Sequence, residues 1–140
     1  MLSPPTAGWC KLRIGDFVGI PSYITDVPVD LLTAFIDYYK KGASAALFDE
    51  EGSEFTLVLS NAFVYVIYHT QDCKSIFYEF PDIFINDLAK ELITDIENDL
   101  DFWSQFKAAV DSEDKILQER KLLTNLISEL KGMIIHYARS

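Results

Sequence analysis

The sequence predicts an α+β fold: an antiparallel meander of about four or five strands, one helix inserted after the first strand or strands, and two long C-terminal helices packed on the sheet. Three observations lead there. Between residues 45 and 80, apolar residues alternate in short runs separated by turn formers, the period-two mark of strands joined in sequence. Around residues 31–39, and again beyond residue 81, they recur every three or four positions, which is the helical period. A chain of 140 residues with 49% apolar content is long enough to bury a core without a metal or a disulfide.

Residues 1–8 contain Pro4, Pro5 and Gly8 and read as a flexible tail ahead of one α+β domain over residues 9–140. Residues 9–24 read as extended, with Trp9, Lys11 and Arg13 alternating with Cys10, Leu12 and Ile14, and Phe17, Val18 and Ile20 following a Gly15-Asp16 turn. Thr25, Asp26 and Pro28 mark a helix start, with Asp30 near the positive end of the helix dipole. Leu31, Leu32, Phe35, Ile36 and Tyr39 give that helix an apolar face, and Lys40, Lys41 and Gly42 its exit.

Residues 45–48 lead into Asp49, Glu50, Glu51 and Gly52, a hairpin loop whose glycine can take positive φ. Phe55, Leu57 and Leu59 then alternate with Thr56, Val58 and Ser60. After a turn at Asn61, Phe63, Tyr65, Ile67 and His69 alternate with Val64, Val66, Tyr68 and Thr70, and a shorter run covers residues 75–80. Both faces of this sheet carry large side chains. One is to be covered by helices, which leaves the other for partial cover or for binding.

Residues 81–106 form an amphipathic stretch in which Ile85, Leu88, Leu92, Ile96, Leu100, Trp103 and Phe106 fall within a sector of about 120°. Asp87, Glu91, Asp95 and Asp99 recur every fourth residue, and like charges at that spacing repel by about 0.2–0.5 kcal/mol per pair. Four residues overshoot a turn by about 40°, so the row drifts from Asp87, fully outside, to Asp99 at the edge of the core. Phe102 falls on the polar side. Either the helix bends or ends between Asn98 and Asp101, or Phe102 belongs to a contact surface.

The last helix has its N-cap at Asp111 or Ser112 and an apolar side of Ile116, Leu123, Ile127, Leu130, Ile134 and Tyr137, widened by Leu122, Leu126 and Met133. Gly132 is a candidate break. The apolar end, with Met133, Ile134 and Tyr137, either folds back onto the domain or is shared with a second subunit in a homodimer.

The net charge of −10 argues against nucleic acid and anionic membranes as partners and favours cationic proteins. Residues 82–114 hold ten acids and two bases, residues 115–140 two acids and five bases, so the excess is concentrated centrally. No basic segment followed by an apolar run opens the sequence, and Cys10 and Cys73 are its only cysteines, so a reduced, cytoplasmic protein is expected, with a disulfide between the two left open. Neither CxxC nor HExxH, GxGxxG or GxxxxGK[ST] occurs, so no metal, no cofactor and no catalytic residue is assigned. The acidic run over residues 49–54 lacks the alternating ligands of a calcium loop.

In composition the chain resembles bacterial immunity proteins that block basic toxins, and acidic inhibitors that imitate nucleic acid. The first expectation is a non-enzymatic domain docking a cationic protein through Asp87, Glu91, Asp95, Asp99 and Phe102. One alternative is a homodimer through Met133, Ile134 and Tyr137. Another is an enzyme or small-ligand binder with Tyr65, His69 or Asp99 in a pocket between sheet and helices.

Overall fold

In the computed structural model, which describes residues 1–107 and 110–138, a short hairpin precedes the first helix. Strands β1 (Leu12–Ile14) and β2 (Phe17–Gly19) pair antiparallel in the register Leu12 with Gly19 and Ile14 with Phe17. Leu12, Ile14 and Phe17 are buried, and the Phe17 ring meets Phe55 edge-on at a centroid distance of 5.1 Å and Tyr78 at 5.2 Å. Gly19 is required by close approach, because a Cβ there would lie 2.4 Å from the Phe55 ring.

Helix α1 (Val27–Lys41) begins where the Thr25-Asp26-Pro28 signal places it and ends at Gly42, whose φ of +86° suits a residue without a Cβ. Strands β3 (Ala43–Asp49), β4 (Glu54–Ser60), β5 (Phe63–His69) and β6 (Ser75–Phe80) follow as a four-stranded antiparallel meander in sequence order. The pairs Leu47 with Thr56, Thr56 with Ile67, and Ile67 with Phe77 lie in register across the sheet. Period-two alternation then sorts the faces. Phe48, Phe55, Leu57, Leu59, Val64 and Val66 point to the buried side, where α1 packs on β3 and β4.

Helix α2 (Ile85–Asn98) follows a turn at residues 81–84, with Phe84 as its N-cap. The break expected between Asn98 and Asp101 is present: Asp99 leaves helical geometry and the one-turn helix α3 (Leu100–Trp103) restarts. The helix opens later than the amphipathic stretch that begins at residue 81, because the Ile83 N–H bonds the Phe80 carbonyl in a turn first. Ile85, Leu88, Leu92, Ile96, Trp103 and Phe106 are all buried, so the apolar sector survives the break. Helix α4 (Glu113–Ala138) is capped by Ser112, whose Oγ accepts the Lys115 N–H at 3.3 Å. It runs through Gly132 without interruption and packs along α1, while α2 packs against both.

Residues 1–8 are not a loose tail. Met1 and Leu2 are buried in the core, Leu2 bridges to Leu12, and the Arg13 N–H donates to the Met1 carbonyl at 2.8 Å. Two apolar side chains at the start outweigh the turn formers behind them. No described helix is long and apolar enough to cross a membrane.

Candidate functional site

The acidic row on α2 is spread over three environments. Asp87 is exposed and Asp99 half-buried, and neither makes an ion pair or side-chain hydrogen bond among the described residues. Glu91 and Asp95, one turn apart between them, both accept from the Met1 ammonium, the latter at 2.7 Å, and Asp95 also accepts the Leu2 N–H at 2.8 Å. Burial works against the charged amine, but the hydrogen bonds and charges of Asp95 and Glu91 prevail and hold its pKa above the ordinary value. Their neighbours are also matched from within: Glu97 pairs with Lys131 at 3.0 Å and Asp101 with Arg120, so basic groups of α4 offset the acids of α2 and α3. Phe102 is 64% exposed on the one-turn helix after the row.

The outer face of the main sheet is different. Ala43, Ala45, Leu47 and Asp49 of β3, then Glu54, Thr56, Val58 and Ser60 of β4, lie on it by alternation, together with Phe63, Tyr65, Ile67 and His69 of β5 and Ser75, Phe77 and Glu79 of β6. Large apolar side chains remain in solvent there: Leu47 is 51% exposed, Phe63 44% and Phe77 56%. The Tyr65 and Phe77 rings stack at 5.5 Å, and Phe63 adjoins Tyr65 at 6.4 Å, which makes an aromatic row across β5 and β6. Carboxylates bracket this row, with Glu54 and Asp49 towards one end and Glu79 at the β6 edge. Glu54 and Glu79 are exposed and have no ion pair or side-chain hydrogen bond among the described residues. No Lys or Arg occurs in any of the four strands.

The other residues singled out by sequence do not converge. His69 lines a cleft of about 460 Å³ with Cys73, Gln71 and Ser53, and its Nδ1 lies 3.0 Å from the Ser75 hydroxyl. Tyr65 belongs to the aromatic row on the outer face, and Asp99 lies beside Arg120 in a shallow cleft with Phe102. Cys10 and Cys73 are both free thiols; burial pushes Cys10 up to about 12, and Cys73 is exposed. No group of three or more His, Cys, Asp or Glu among the described residues is placed to hold a metal ion.

The apolar end of α4 folds back onto its own chain. Ile134 is 6% exposed within the core, Met133 packs at its margin, and the Tyr137 hydroxyl donates to the Tyr39 carbonyl at 2.6 Å. Arg139 and Ser140, the last two residues of that segment, lie outside the described residues.

Sequence reasoning did not single out Leu47, Glu54, Phe77 and Glu79. The signal for them is the apolar content at both phases of the strand alternation, combined with four strands free of Lys and Arg. Comparison with protein-family models, with curated proteins and with solved structures gives no match to the chain.

Proposed function

We propose that this protein is a non-enzymatic binding domain that docks a cationic protein partner on the outer face of its four-stranded sheet. The observation that carries the reading is the aromatic row of exposed Phe63, half-buried Tyr65 and exposed Phe77, bracketed by Glu54 and Glu79, whose carboxylates have no partner among the described residues, on strands without a Lys or Arg. An exposed apolar patch rimmed by polar groups is the usual form of a protein contact surface. Aromatic faces beside carboxylates favour arginine and lysine, whose aliphatic stems lie on the rings while their heads reach the acids.

The acidic helix takes a supporting role in this reading. Since Glu91 and Asp95 already hold the Met1 ammonium, and Glu97 and Asp101 hold bases of α4, docking there would have to displace internal partners. The remaining acids, with the net charge of −10, supply long-range steering that raises the association rate of a basic partner.

The test is affinity capture from the native host with the wild-type chain, a Phe77→Ala/Glu79→Lys variant and an Asp87→Lys/Asp99→Lys variant, at low and at elevated salt. The expected result is a basic protein retained at low salt, lost with the sheet variant and kept with the helix variant. Retention by the sheet variant, with loss in the helix variant, would return the site to α2.

A further inference from the structure

Strand β6 is an edge of the main sheet, paired among the described residues only with β5. The Thr70 N–H donates to the Lys74 carbonyl at 2.9 Å, which makes Thr70 and Lys74 a hydrogen-bonded pair at the head of this ladder. Bonded and non-bonded pairs alternate in an antiparallel ladder. From the register, Ile76, Tyr78 and Phe80 therefore direct their backbone groups at Tyr68, Val66 and Val64, whereas the N–H and C=O of Ser75, Phe77 and Glu79 point away from the sheet. No described residue bonds to them. The same parity on the opposite edge turns the Asp49 carbonyl outward, and there it is taken by the Ser22 N–H at 2.9 Å.

Edge strands are ordinarily guarded by proline, lysine, a bulge or a covering element. Strand β6 has none of the first two between Ser75 and Phe80, and its register with β5 is unbroken over its whole length. Its outward-directed residues are also those whose side chains lie on the outer face, so a strand laid along the edge would set its own side chains beside Phe77 and Glu79.

Resting on the docking reading above, we infer that the cationic partner contributes an extended segment that adds antiparallel to β6, pairing with Phe77 and Glu79. The chemistry of that segment follows from the edge. It carries an arginine or lysine opposite Glu79 and an apolar residue opposite Phe77, two positions apart on one face. On the other face it carries apolar residues beside Ile76, which is 44% exposed, and Tyr78. Main-chain hydrogen bonds supply affinity and the alternate side chains supply selectivity. A second copy of this chain fits the edge less well, because β6 paired with itself brings no cation to Glu79.

The experiment uses the full chain and a short capped peptide with arginine and isoleucine two residues apart on one face and valine on the other. A second peptide has the same sequence N-methylated at the residues that would bond the edge, which keeps its charge and removes its donors. Binding is read by fluorescence anisotropy, and amide exchange is read at Ser75, Phe77 and Glu79. The expected result is saturable binding of the first peptide, slowed exchange at those three amides, and about tenfold or greater weakening on methylation. Equal binding of both peptides without slowed exchange would overturn strand addition and leave docking on the sheet face standing. Failure of both peptides to bind, with an alternating acidic peptide also failing, would overturn the inference. A Glu79→Lys variant that binds the first peptide as tightly as wild type would overturn the assigned register.

Discussion

Replacing Asp26 by asparagine should flatten the pH dependence of stability between about pH 4 and pH 7. Asp26 sits at the start of α1 with its side chain 16% exposed, facing Glu119 of α4 and Lys107 of the connection before it. Lys107 Nζ lies 3.0 Å from Glu119 and 3.9 Å from Asp26, so one cation serves two carboxylates. Burial, and then the hydrogen bond and charge of Glu119, push the Asp26 carboxyl up to about 7 against the opposing pull of Lys107.

The folded chain therefore keeps a proton that the unfolded chain has released above about pH 4, so this contribution is full at the acid end and is lost as pH rises through about 7. About three units at roughly 1.4 kcal/mol each give a loss on the order of 4 kcal/mol across the window. Asp30, raised by burial on the same helix, adds a smaller slope of the same sign. Exposed Asp72 and Asp111, lowered by the Thr70 hydroxyl and by Lys115, act only below the window and with opposite sign. Urea denaturation followed through tryptophan fluorescence reads the effect, since a change on the order of 4 kcal/mol moves a urea midpoint by about 2 M. Wild type should lose midpoint with rising pH while Asp26→Asn stays nearly level and is the more stable of the two above pH 7. Equal slopes in the two proteins, or a wild type that gains stability over the window, would mean that Asp26 does not hold this proton in the folded chain.

Three further outcomes follow from the packing. Trp103→Ala should cost about 3–5 kcal/mol in chemical denaturation, because the ring is 1% exposed and stacks edge-on with Phe106 at 5.2 Å. Gly19→Ala should cost about 1–3 kcal/mol by forcing the Phe55 ring aside, read as a lowered Tm. A thiol reagent at neutral pH should label Cys73 in the folded protein and leave Cys10 unmodified until denaturant is added, since Cys10 is 3% exposed with its thiol pushed up to about 12. Mass spectrometry of the labelled chain checks the last.

Local signals served well wherever one segment decides its own conformation. Asp26, Pro28 and Gly42 bound α1, and the alternation from Phe55 to Phe80 places β4, β5 and β6. Phe102 was out of phase with its neighbours, and of the two readings this left open the helix does end at Asn98 and restart. What local pattern misses is who meets whom across the chain. The Met1 ammonium reaches Glu91 and Asp95 from 90 and 94 residues away, and that contact both pins the first residues and occupies the centre of the acidic row. Likewise Ile134 and Tyr137 look surplus along α4 until α1 is set beside them. The outer sheet face was legible in part: both strand phases are apolar, but only the register puts Phe63, Tyr65 and Phe77 in one row with Glu79 at its edge.

Amide exchange on the purified chain with and without its captured basic partner is the most direct measurement of where docking occurs. Slowed exchange confined to β5, β6 and their connection, weakening as salt is raised, is the expected result. Protection centred on residues 87–102, with β6 exchanging as in the free chain, would contradict it.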